Sequence, residues 1–81
     1  MSPTVFIKGG FSFRIYFPPL EHGPAHVHVE KDGMKASFWL ADGSVRSVGK
    51  MRGADVTRAQ QIVRSRIQQL QEVWRIYHEK D

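Results

Sequence analysis

The residues best suited to chemistry are histidines clustered in one short segment. Of the four histidines in this 81-residue chain, His22, His26 and His28 lie within the sequence EHGPAHVHV. His26 and His28 are two residues apart, so on a β-strand they share one face with Cα atoms about 7 Å apart. Imidazoles placed in this way can transfer protons near neutral pH, for example at the 2′-hydroxyl or the leaving oxygen of RNA.

Two other roles for these histidines stay open at this point. With His22 or Glu30 as a third ligand, His26 and His28 could bind Zn²⁺, Ni²⁺ or Fe²⁺, although a His-x-His pair is a weak metal signal on its own. Alternatively all three are structural: His22 bonds to backbone groups of a Pro-containing loop, and the other two are ordinary polar strand residues. We expect no bound metal and no cofactor.

Alternation of apolar and polar residues predicts that strands position the histidines. Residues 11–17 (FSFRIYF) alternate strictly, as a strand buried on one side does, and residues 26–31 and 34–40 continue the pattern. Gly9-Gly10 and Asp32-Gly33 are strong turn signals that close two hairpins, the first beginning at residues 4–8. A further short strand over residues 44–48 is suggested by the sequence.

The C-terminal half predicts one long helix over residues 54–79, a stretch without Gly or Pro. Apolar residues recur there at steps of three and four, as they do on the buried stripe of an amphipathic helix: Val56, Ala59, Val63, Ile67, Leu70, Trp74 and Tyr77. Neither a sheet with one apolar face nor a lone helix is stable alone. We therefore expect an α+β fold of one domain (1–81), with two layers: an antiparallel sheet of about four strands within residues 1–50, packed on the helix.

If the helix covers the Phe and Val side of the sheet, the opposite side carries the chemistry-bearing residues. On this open face we expect His26 and His28 as acid–base groups. Arg14 and Lys35 are candidate phosphate contacts, and Tyr16 and Trp39 are candidate platforms for stacked bases. The competing interpretation is a plain solvated face on which the two aromatic residues cover the sheet.

Composition narrows the classes of function. The net charge of +4 favours anionic partners such as RNA, DNA or an acidic protein. The chain has no cysteine, which excludes disulfides, a thiolate nucleophile and sulfur-bound metals. No apolar run reaches the roughly 20 residues of a membrane span, and no secretory leader is evident, so we expect a cytoplasmic protein.

A second candidate interface lies beside the helix stripe. Ile62, Val73 and Ile76 widen the apolar side of the helix beyond what one sheet needs. These residues either extend the core contact or form a flank that packs on a partner protein or on a second copy of the chain.

The chain resembles a bacterial family of small proteins catalogued as domain of unknown function 4160. The resemblance is carried by short motifs along nearly the whole chain: PTVF at 3–6, GGF at 9–11, EHGP at 21–24, HVHV at 26–29, ASFWL at 36–40 and LQEVW at 70–74. Members are often encoded beside a small partner protein, in pairs that look like toxin–antitoxin modules. The resemblance therefore implies a toxin-like role with an antitoxin-like partner, and it supplies no established catalytic residues.

Two functional hypotheses follow from the residues and the resemblance together. The first is a toxin-like component that acts on RNA or its machinery through the open face, as a possible metal-independent ribonuclease. The second is a non-enzymatic protein-binding or inhibitory module that uses the basic surface and the apolar helix flank.

Overall fold

The computed structural model describes residues 4–16 and 23–78, and within them it forms a five-stranded antiparallel sheet. The strands follow one another in space as they do in sequence: β1 (Thr4–Lys8), β2 (Phe11–Arg14), β3 (His26–Lys31), β4 (Met34–Trp39) and β5 (Val45–Gly49). The two predicted turns connect β1 to β2 and β3 to β4. Gly9 and Gly10 have φ of 61° and 85°, and Asp32 and Gly33 have φ of 52° and 79°, as two-residue hairpin turns require.

The expectation of about four strands is corrected to five, because the short stretch after Gly43 pairs with β4. The chain reverses at Gly43, with φ of 78°, while the carboxylate of Asp42 accepts a hydrogen bond from the Ser44 N–H at 2.9 Å. The pairing of β2 with β3 also ends earlier than predicted, at Arg14 opposite His28. Burial still alternates through Ile15 and Tyr16, and the remainder of the predicted strand, from residue 17, lies outside the described residues.

The single long helix predicted over 54–79 is two helices, α1 (Gly53–Ser65) and α2 (Ile67–His78). At the junction Arg66 leaves helical geometry, with φ of −120° and ψ of 20°. The hydroxyl of Ser65 donates to the carbonyl of Ile62 at 2.8 Å, and the Arg66 N–H is shared between the carbonyls of Ile62 and Val63. A serine that bonds back to its own helix competes with the regular backbone pattern, and α1 ends at this position.

The core lies between one face of the sheet and the two helices, as predicted. Its sheet side alternates along the strands, with Phe13, Val27, Val29 and Phe38 almost wholly buried. The buried residues on its helix side are Ala59, Val63 and Leu70, and half-buried apolar residues of both helices pack around them. Burial of apolar surface at roughly 25 cal/mol per Å² is the main favourable term holding the layers together.

Both helices are also tied to the turn between β4 and β5. The side chain of Gln60 donates to the carbonyl of Gly43 at 2.8 Å, Arg64 donates to Asp42 at 3.1 Å, and Gln71 of α2 donates to Leu40 at 2.6 Å. These bonds satisfy carbonyls of a turn that has no strand partner for them. No helix in the described part of the chain is long and apolar enough to span a lipid bilayer.

Candidate nucleic-acid interface

The strand register brings most of the predicted site residues together on the face of the sheet opposite the core. Arg14 on β2 lies opposite His28 on β3, and His28 lies opposite Ser37 on β4. The next pair of residues on the same face is His26 of β3 and Trp39 of β4, which lie opposite each other. We call this the open face and define it by Arg14, Tyr16, His26, His28, Glu30, Lys35, Ser37 and Trp39.

The rings of the open face form a connected cluster centred on the two imidazoles. The ring centroids of His26 and His28 are 5.2 Å apart, with an edge-to-face arrangement. Tyr16 lies 4.9 Å from His28, and Trp39 lies 6.0 Å from His26. His28, half-buried, therefore lies between a phenol and a second imidazole.

His26 is on the predicted face but is shielded from solvent, with only 4% of the residue exposed. Trp74 of α2 lies against it, with centroids 5.2 Å apart, and the ring of His78 stacks on Trp74 at 3.7 Å. The Nδ1–H of His26 donates to the carbonyl of Pro24 at 2.8 Å. That bond fixes the ring orientation and leaves Nε2 as the acceptor in the neutral form.

The charged residues of the open face are arranged around this cluster. The guanidinium of Arg14 is 3.7 Å from the carboxylate of Glu30, whereas Lys35 is exposed. Arg46 lies with its guanidinium 5.4 Å from the centre of the Trp39 ring and donates to the hydroxyl of Ser37 at 3.2 Å. The face therefore carries three cations, Arg14, Lys35 and Arg46, of which Arg14 is paired with Glu30. Cationic side chains of this kind make contacts to a phosphate backbone.

Arg46 reaches the open face because β5 contains a bulge, which the sequence analysis did not predict. Ser37 is opposite Ser47 and Phe38 is opposite Val45, so Arg46 is an extra residue on β5 without a partner position on β4. Sequence analysis also missed Trp74 as a neighbour of His26. Trp74 belongs to the apolar helix stripe and packs on the core, and no sequence signal shows that it also contacts an imidazole of β3.

A groove of about 430 Å³ adjoins the cluster at the C-terminal end of β4. Its lining includes Pro24, Trp39, Leu40, Asp42, Ser44 and Gln71. Hydrogen bonds from the Ser44 side chain, and then from its backbone N–H, lower the pKa of Asp42, and the nearby Arg64 lowers it further. The groove therefore combines an aromatic wall with a carboxylate that stays ionised at neutral pH.

The apolar helix flank is only partly available to a partner. Ile62 and Val73 are half-buried and pack against the core, whereas Ile76 has 59% of its surface exposed.

The metal hypothesis finds no support in the described chain, residues 4–16 and 23–78: no three His, Asp or Glu side chains there form a group that could hold an ion. His22, the third candidate ligand, lies outside the described residues.

The fold and this face define a small two-layer α+β domain whose open sheet surface is basic and rich in rings. A model of the family described as domain of unknown function (DUF4160) matches residues 10–75. The match covers most of the chain, so this protein belongs to that family, and the resemblance noted in the sequence is confirmed. Comparison with curated proteins and with solved structures finds no match.

Proposed function

We propose that this protein is a cytoplasmic, toxin-like component of a bacterial toxin–antitoxin pair that acts on RNA through its open face. The observation that carries the proposal is the position of His28. It is half-buried between the rings of Tyr16 and His26, lies opposite Arg14 in the β2–β3 register, and shares its face with the exposed Lys35. An exposed sheet that combines rings with cations can stack bases and hold phosphates.

In this proposal His28 is the general base. It removes the proton from a ribose 2′-hydroxyl, the 2′-oxygen forms a bond to phosphorus, and the 5′-oxygen leaves with a proton from water, giving a 2′,3′-cyclic phosphate. Lys35 and Arg46 stabilise the negative charge that develops on the phosphate oxygens. His26, which is buried and bonded to Pro24, acts as a positioning residue that holds the ring of His28.

The test is binding and cleavage of single-stranded RNA by the full chain in the presence of EDTA. We expect affinity to fall as salt is raised from about 50 to 200 mM, because bound phosphates release counterions. We expect Lys35→Ala to weaken binding. The matched control is Lys8→Ala, an exposed lysine on β1 that lines a different cavity together with Arg58.

Cleavage separates the roles of the two histidines. We expect His28→Ala to reduce the rate roughly 10²–10⁴-fold, the usual contribution of a general base. His26→Phe, which keeps a ring of similar size, should change the rate much less. Cleavage that is unaffected by removing both imidazoles would overturn the assignment, and so would RNA binding that does not distinguish Lys35→Ala from Lys8→Ala.

The exposure of Ile76 favours a second candidate, a non-enzymatic module that binds a protein through the helix flank. Ile76 and Val73 lie one turn apart on α2, and the basic surface would assist an acidic partner. The test is a pull-down with the product of the neighbouring gene. We expect Ile76→Asp to abolish such a complex, and Gln68→Asp, at an exposed position on the other flank of α2, to preserve it. A complex lost instead through His28→Ala would favour the open face.

A further inference from the structure

The groove beside the imidazole cluster has the size of a small-molecule site and is walled by rigid apolar groups. Pockets for small ligands usually enclose about 300–1,000 Å³, and this one encloses about 430 Å³. Leu40 at its base is fully buried, and Gln71 of α2 donates to the Leu40 carbonyl, so the helix holds this wall in place. Trp39 supplies an aromatic wall, which suits a flat heterocyclic ring.

The polar part of the groove selects the kind of ring. Asp42 presents a carboxylate that accepts hydrogen bonds and cannot donate while it is ionised. An ordinary aspartate is already ionised through the neutral range, and the hydrogen bonds from Ser44, with Arg64 nearby, lower the pKa of Asp42 further. Among the four RNA bases, guanine alone presents two adjacent donors, N1–H and the N2 amino group. Adenine, cytosine and uracil each place an acceptor beside their donor on that edge.

The groove also lies where a base of the proposed RNA substrate would be. Trp39 is opposite His26 in the β3–β4 register, and Pro24, a residue that lines the groove, accepts the hydrogen bond from His26 at its carbonyl. Arg46, above the Trp39 ring, is available to the phosphate of a nucleotide whose base occupies the groove.

We propose that this groove binds the guanine base of the RNA on which the open face acts, with Asp42 accepting from N1–H and the N2 amino group and Trp39 packing on the ring. The inference rests on the proposed function and adds a base preference to it. A free guanine nucleotide carries the same chemistry, so the experiment includes both sources.

The experiment compares equilibrium binding of GMP, IMP and AMP to the full chain by calorimetry, followed by short single-stranded RNAs that contain or lack one guanine. We expect AMP to bind at least about tenfold more weakly than GMP, the discrimination expected of a bidentate contact. IMP, which keeps N1–H and lacks the amino group, should fall between them. The RNA with guanine should bind more tightly than the RNA without it.

Two matched substitutions assign the preference to the groove. Asp42→Asn keeps an oxygen acceptor for the Ser44 N–H, so the turn is preserved, while the charged acceptor is lost. We expect it to remove the preference for GMP over AMP. The control, Asp32→Asn, makes the same change in the exposed turn at the other end of β4, where φ of 52° suits asparagine, and it should leave the preference intact.

Equal affinity for GMP and AMP would overturn the inference and leave the proposed action on RNA standing, provided that RNA still binds. A preference for GMP that survives in Asp42→Asn would also overturn it. If GMP is preferred through Asp42 while RNA is neither bound nor cleaved, the groove assignment holds for free guanine nucleotides and the proposed function fails.

Discussion

The two faces of the sheet are built on the same five strands but obey different rules. On the covered face of the three central strands, burial follows alternation, so that Phe13, Val27 and Phe38 are all fully buried, whereas Val45 and Val48 on the edge strand β5 are exposed. On the open face, neighbouring residues range from Ser37, only 1% exposed, to the exposed Lys35. The helices bury the inward side chains of the central strands together, whereas on the open face each side chain is buried only as far as its own neighbours cover it.

We expect the largest difference between the two faces when a side chain on each is truncated to alanine and the free energy of unfolding is compared. Phe38→Ala should lower the free energy of unfolding by about 3–5 kcal/mol, because it removes a fully buried ring and leaves a cavity. Lys35→Ala, on the same strand and the opposite face, should change it by less than about 0.5 kcal/mol. Urea denaturation of both variants measures the difference, and effects of similar size would mean that the helices do not cover this face.

The next test removes Trp74, a helix residue that lies against an open-face histidine. Trp74→Ala should cost about 2 kcal/mol, less than a fully buried ring, because Trp74 is half-buried against His26 and His78. Ile76→Ala on the same helix, with 59% of Ile76 exposed, should cost well under half as much. NMR of the His26 ring should report its new contact with solvent. A His26 signal that does not change in Trp74→Ala would contradict the described packing.

Alanine substitutions at two glycines test the difference between the β4–β5 turn, which is bonded to both helices, and the β3–β4 turn. Gly43 and Gly33 have almost the same φ, 78° and 79°, so alanine at either position costs about 1–2 kcal/mol of backbone strain. At Gly43 the added Cβ would also lie 2.6 Å from Cγ of Arg64, whereas nothing lies within 4 Å at Gly33. We expect Gly43→Ala to be the more destabilising in thermal unfolding. The reverse order would show that Arg64 is not held against this turn.

The smallest expected effect is on the free energy of unfolding at acidic pH. The pKa of Asp42 is lowered in the folded chain by hydrogen bonds from Ser44, so its contribution to stability is complete above the ordinary carboxyl pKa of 3.8. This contribution is lost as the pH falls through the lower pKa that Asp42 has in the folded chain, because there the folded state also takes up the proton. Asp42→Asn should therefore flatten the stability profile slightly in that acidic window and leave its shape near neutral pH unchanged.

Much of the covered face could be predicted from local pattern. The strand alternation, the Asp32-Gly33 turn and the helix stripe each depend on residues close together in sequence, and the structure confirms them except at Ile67, which is not among the described residues that pack on the core. The break at Arg66 was missed because the predicted range 54–79 contains no Gly or Pro, whereas the structure has a hydrogen bond from the Ser65 hydroxyl to the Ile62 carbonyl at this point. The fifth strand was suggested by its sequence, but its bulge was not, since Arg46 is displaced only by the pairing that β4 offers.

The amino-acid sequence by itself determined which side chains share a face of the sheet, because the two-residue period of a strand is fixed by backbone geometry. Only the tertiary structure decided which of those side chains meet solvent. His26 and His28 are equivalent by alternation, yet Trp74 shields the former and leaves the latter half-buried. The distinction depends on a residue 48 positions from His26 in the chain, and no local period encodes a contact at that separation.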